Sequence, residues 1–163
     1  MSVTSDIAQS YRAPRQVMRR LLDRGRREDQ ALLFLLFACV LLFIAQAPAQ
    51  ARLAHLDPEI PRQARLYWSA LFLIFLLPFV FYACAFALWF LMRLAGAAIS
   101  AYQARLSLFW ALLAASPVAL LAGLTAAFVG PGGALQLVVF LWVAIVLLFT
   151  VQGLREARSG QGA

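Results

Sequence analysis

Apolar residues along this chain do not alternate with polar ones at a helical or strand period; they come in long unbroken blocks. Charge-free stretches run over Ala31–Ala51, Leu66–Met92 and Leu106–Leu154, with lengths of 21, 27 and 49 residues. A helix needs about 20 apolar residues to cross the hydrocarbon core of a bilayer, so each stretch reaches the length of a span. The last is long enough for two, and its backbone break is Gly130-Pro131-Gly132-Gly133. Backbone at membrane depth must bond to itself, so that break belongs at an interface, where water reaches its carbonyls. Divided there, the run leaves segments of 24 and 21 residues. The pattern predicts an all-α, polytopic integral membrane protein with four transmembrane helices, over about 31–50, 66–92, 106–129 and 134–154.

Two of these blocks admit another reading. The 27-residue block extends roughly 40 Å as a helix, against a core of about 30 Å, and two re-entrant pieces around Pro78 would also fit. Tilt and a kink at Pro78 absorb the excess, so one span is expected. After the first block, Ala45-Gln46-Ala47 and Ala49-Gln50-Ala51 match a small-residue cleavage pattern. The charged segment before it is long for a signal peptide, Pro48 directly follows the first candidate site, and cleavage would leave an odd number of spans. An uncleaved anchor is expected.

The remaining polar sequence is mostly N-terminal. Residues 1–29 form a basic segment, 30–158 the transmembrane domain and 159–163 a short tail. Within the first, Pro14 suits an opening helical turn and Gly25 a helix terminus. Val17, Met18, Leu21 and Leu22 share one face, and Arg15, Arg19, Arg20 and Arg24 lie mostly around the rest. This predicts a short amphipathic helix on the membrane surface, with the four arginines meeting anionic lipid or a partner. Glu28 and Asp29 then open the first span, where negative charge suits a helix N-terminus.

Composition agrees with this picture and orients it. The chain is 64% hydrophobic and 13% charged, with a mean hydropathy of +0.82; a soluble domain carries about 25% charged residues. All its cations are arginines. Arg12, Arg15, Arg19, Arg20, Arg24, Arg26, Arg27, Arg93, Arg105, Arg155 and Arg158 fall on one side of the predicted topology, and Arg52, Arg62 and Arg65 on the other. The positive-inside bias places both termini in the cytoplasm. The formal net charge of +7 follows from that topology and suits an anionic leaflet; it does not imply nucleic acid. Tyr67 and Trp68, at the start of the second span, fit an interfacial aromatic belt.

In the third span Ala111, Ala115, Ala119, Gly123 and Ala127 recur every four residues, a face on which neighbouring helices approach closely. Packing within the chain is expected there, with an oligomer contact as the alternative. Ser116-Pro117 predicts a kink in the same helix.

Chemistry is argued against by what the spans hold. Their polar members are Gln46, Ser69, Ser107, Ser116, Thr125, Gln136, Thr150 and Gln152, with no acid or base beside them. Proton relays and intramembrane proteases need such groups at depth. His55, Asp57 and Glu59 in one short loop make a poor ligand set, so no metal is expected. Cys39 and Cys84 read as small apolar residues rather than a disulfide. No phosphate loop, dinucleotide fingerprint or haem motif occurs, and no cofactor is expected.

The stretch YRAPRQVMRRLL ahead of the first span, Gly96 after the second, and GAAISAYQARLSLFWALLAASP running to Pro117 resemble the bacterial members of the Yip1 family. Eukaryotic relatives are multispanning proteins, usually with five spans, that associate with lipidated small GTPases of the early secretory pathway. For this chain the resemblance implies a non-enzymatic inner-membrane protein that associates with membrane lipids and with a membrane-protein partner. It supplies no catalytic residues. The alternative function is a small transporter or channel subunit for a neutral substrate.

Overall fold

The computed structural model describes residues 3–56 and 61–159, and every regular element among them is a helix. Two short helices, α1 (Val3–Ser10) and α2 (Pro14–Asp23), precede the long α3 (Glu28–Leu56). Next, α4 (Arg62–Ala70) runs through a π-helical turn (Leu71–Leu76) into α5 (Leu77–Leu94). The chain ends with α6 (Ala101–Ala114), α7 (Ser116–Phe128) and α8 (Gly133–Ser159). Three continuous rods are long and apolar enough to cross a membrane: Glu28–Leu56, Gln63–Leu94 and Gly133–Ser159, of 29, 32 and 27 residues. The pair α6–α7 meets the same requirement as a unit but is bent by 45°. Among the described residues there are thus three candidate spans, or four when the bent pair counts as one, and they point to a membrane protein.

Three prolines inside the apolar blocks have three outcomes. Pro48 sits within α3 without ending it. Ahead of Pro78 the helix widens, and the Leu77 N–H bonds back to the Phe72 carbonyl, five residues away. A wider turn accommodates a ring that removes one donor and crowds the carbonyl four residues before it. The second block is therefore one rod from Gln63 to Leu94, not two re-entrant pieces. At Pro117 the chain breaks instead. The Val118 N–H turns to the Ala115 carbonyl at 3.1 Å, and the Ala114 carbonyl accepts from the Tyr11 hydroxyl at 2.9 Å. A side chain from the N-terminal segment thus satisfies a carbonyl that the bend leaves without its helical partner.

Helix α6 lies at the centre. Ten of its 14 residues are buried, enclosed by α3, α5, α8 and the N-terminal pair. Phe34 packs edge-on against Trp110 and Tyr82 against Phe109, each with ring centroids 5.0 Å apart. Edge-to-face pairs of this kind add about 0.5–1.5 kcal/mol beyond the area they bury.

The N-terminal segment differs from the sequence expectation in two ways. It holds two helices, not one, and the apolar face of α2 meets protein. Val17, Met18 and Leu21 are all buried, within the same core cluster as α6. The register runs downward as the chain runs forward: Tyr11 reaches Ala114, Met18 lies at Ser107 and Gly153, and the Gly25 carbonyl accepts from the Tyr102 hydroxyl at 3.3 Å. So α2 runs antiparallel to α6 along the bundle and packs chiefly against α8. The physical reason is a notch at Gly153, where a Cβ would come within 2.9 Å of Met18 Cε and 2.8 Å of Ser107 Oγ. Without a side chain there, α2 and α6 both close onto α8.

Candidate functional site

The surface on which the sequence places function is the arginine face of α2, and the fold sorts its four members. Arg20 turns inward: Nη2 donates to Gln9 Oε1 at 2.6 Å and pairs with Asp6 Oδ1 at 3.3 Å. Asp6 is nearly buried, so this pair ties α1 to α2 as one hairpin. Ser10 adds a second polar link, with its Oγ accepting from the Trp110 indole N–H at 3.1 Å and donating to the Asp6 carbonyl at 2.9 Å. Arg19 lies outside, 3.7 Å from Glu156 of α8 and 72% exposed. Arg15 and Arg24 are exposed and make no ion pair with any described residue, and Arg12 is exposed beside them. The arginines available to a lipid or partner are therefore Arg12, Arg15, Arg19 and Arg24, while Arg20 is structural. Partial desolvation pushes the Tyr11 phenol above its usual pKa.

Below this face, three charges join the start of α3 to α6. Glu28 Oε1 receives Arg105 Nη2 at 2.6 Å and Arg26 Nε at 3.2 Å. Glu28 is thus a bridge between helices as well as a charge at a helix N-terminus. An open pocket of about 350 Å³ lies here, lined by Leu22, Gly25, Arg26, Ser100, Tyr102 and Gln103. Ser100 and Gln103 form a reciprocal capping box that occupies two of the free N–H groups of α6.

The small-residue stripe is divided by the bend. Ala111 and Ala115 are fully buried on the α6 side, where the surrounding positions are buried too. Ala119 is buried and Ala127 half-buried on α7. Gly123 meets α3 so closely that a Cβ would run into the Ala45 carbonyl. Further along, Arg52 of α3 donates to the Ala126 and Ala127 carbonyls at 3.3 and 3.2 Å, capping the C-terminus of α7 with positive charge. Gly130, at φ +89°, turns the chain where any side chain would strike that guanidinium.

Four of these residues escaped sequence reasoning: Tyr11, Arg52, Ser107 and Gly153. Arg52 counted there as topogenic charge, Ser107 as an ordinary polar residue of a span, and Tyr11 only as the first residue of the stretch YRAPRQVMRRLL. Only Gly153, a lone glycine in an apolar helix, carried a signal of close approach. Among the described residues no group of three metal-ligating side chains occurs. His55 is exposed at the end of α3, whereas Asp57 and Glu59 lie outside the described residues. Cys39 is buried, Cys84 is exposed, and both are free thiols. No family model, curated protein or solved structure matches this chain.

Proposed function

We propose that this is a non-enzymatic protein of the bacterial inner membrane, of Yip1-like type, with both termini in the cytoplasm. It acts through association with anionic lipid and with a membrane-protein partner. The observation that carries the reading is the outward arginine face of a docked helix. Because Val17, Met18 and Leu21 are held in the core, the charged side of α2 keeps a fixed position beside α8. A preformed basic surface meets a partner at less entropic cost than a loose tail does. Each arginine near an anionic leaflet contributes about 1 kcal/mol, so Arg15, Arg19 and Arg24, spread along a helix that stands upright in the bundle, supply at most about 3 kcal/mol.

The test is melting of the purified protein in detergent with added phosphatidylglycerol or phosphatidylcholine. The wild type should gain more from the anionic lipid. The variant Arg15→Gln/Arg19→Gln/Arg24→Gln, with Arg20 kept so that the hairpin holds, should lose that preference. An unchanged preference would refute the assignment. The transporter reading draws on a groove of about 250 Å³ between α3, α7 and α8 that includes Gln46 and Trp142. Its other walls are Leu42, Ala45, Ala119, Ala122, Gly123 and Val139, a lining that suits an acyl chain better than a polar solute.

A further inference from the structure

The level at which the molecular surface changes from apolar to charged differs between two flanks of the bundle. On the α6–α8 flank, Tyr11 packs edge-on against Phe149 and bonds to Ala114, which puts the exposed Arg12 and Arg15 near that level. Phe149 lies six residues before Arg155 and Ala114 nine after Arg105. At 1.5 Å per residue these separations are about 9 Å along α8 and about 14 Å along α6. On the α5 flank the surface stays apolar much further toward the hairpin end. Tyr82 marks the level of Phe109, and beyond it Phe86, Phe90 and Leu91 are all exposed before Arg93, the first cation of that flank, whose guanidinium lies over the Trp89 ring. A flat bilayer cannot serve both flanks. Hydrocarbon that covers Leu91 would also cover Arg12 and Arg15, and hydrocarbon that ends at Arg12 would leave Leu91 in water.

Covering an arginine with hydrocarbon costs far more than thinning a bilayer by a few ångströms, and local thinning with snorkelling is the usual relief. Retreat of the hairpin is opposed by its buried apolar face and by the Tyr11 and Trp110 hydrogen bonds. We propose that Arg12 and Arg15 draw phospholipid headgroups and water up the α6–α8 flank toward the Ala115–Pro117 bend, so that the bilayer is locally thinned there and not along α5. The ligand is the phosphate-bearing headgroup layer of the leaflet on the hairpin side. The inference requires only that the long apolar helices cross a bilayer, and it does not depend on the association with a partner.

The test uses the full chain, with Cys39 and Cys84 replaced by Ala, reconstituted in vesicles of phosphatidylcholine and phosphatidylglycerol. Nitroxide labels are placed singly at Leu148→Cys, next to Phe149, and at Leu91→Cys. Accessibility to oxygen is compared with accessibility to a water-soluble nickel complex. The expected result is a headgroup-like reading at 148 and a hydrocarbon-like reading at 91, although 91 lies nearer the hairpin end. Arg12→Leu/Arg15→Leu should shift 148 to a hydrocarbon-like reading, and Arg12→Lys/Arg15→Lys should leave it unchanged. A hydrocarbon-like reading at 148 in the wild type would overturn the proposal. So would a headgroup-like reading at 148 that persists in the leucine variant. A water-like reading at 91 would overturn it too, by showing that this end lies outside the bilayer on both flanks.

Discussion

From Leu106 onward helix α6 shares one charge-free run of sequence with α7, and a single residue separates the two helices, yet they occupy different surroundings. Ten of the 14 residues of α6 are buried, against two of the 13 residues of α7. On α6 every side is covered, by aromatic side chains of α3 and α5 and by the N-terminal hairpin. On α7 one face touches α3 and α8, and Leu121, Leu124 and Phe128 are exposed. Both helices are mainly apolar because lipid and protein interior select the same side chains, and the buried one is the less apolar of the two. The difference shows that an apolar run specifies exclusion from water, not which neighbour excludes it.

That contrast breaks most readily on the α7 side. Gly123→Leu forces a side chain against backbone, the Ala45 carbonyl, which has no rotamer to yield with. A loss near the upper end of the usual ~1–3 kcal/mol for overpacking is expected, read as a fall in melting temperature in detergent. A melting temperature within error of the wild type would show that α3 and α7 do not approach closely.

On the α6 side, Gly153→Leu meets a flexible Met18 and a serine hydroxyl, so a smaller loss of about 1–2 kcal/mol is expected. The larger readout is local: the hairpin should detach, and limited trypsin digestion should cut faster at Arg15 and Arg19. Met18→Ala in the same chain makes room and should restore part of the protection, a coupling that a double-mutant cycle measures. Unchanged digestion in Gly153→Leu would mean that the hairpin is not seated there.

At the junction of the two helices, Tyr11→Phe keeps the ring against Phe149 but removes the donor to Ala114. The expected cost is about 1 kcal/mol, with faster amide exchange around the bend. Exchange identical to the wild type would place the hydroxyl elsewhere.

The smallest effect belongs to Arg19→Gln. The pair with Glu156 is long and its arginine is exposed, and its loss should change stability by no more than about 0.5 kcal/mol. A larger loss, insensitive to salt, would show that the arginine anchors the hairpin.

Position 113 shows how far the spacing of small residues could be read. By sequence Leu113 lies off the alanine–glycine stripe, but it is as buried as the stripe itself, at 2% exposed. On α7 the same spacing does single out a close contact, because that helix has one protein face and Gly123 is on it. A stripe carries information only where the opposite side of the helix is left to lipid. The basic helix carries a similar lesson. Periodicity identified Val17, Met18 and Leu21 as one apolar face, and burial treats them as one. Periodicity did not say whether lipid or protein covers that face, nor that Arg20 leaves the charged side to hold Asp6.

What the sequence determined by itself was the all-helical class, the long apolar blocks, the start of α2 at Pro14, and the breaks at Gly25 and at Gly130–Gly133. Each rests on local physics: backbone groups bonded within one segment, a fixed proline φ, a glycine free to take positive φ. Tertiary structure alone decided that Pro78 widens a helix while Pro117 breaks one, that α2 stands against α8, and that Arg52 caps a helix 74 residues away. These depend on which surfaces meet. The meeting is set by small features such as the notch at Gly153, which are invisible to composition because they act through the absence of atoms.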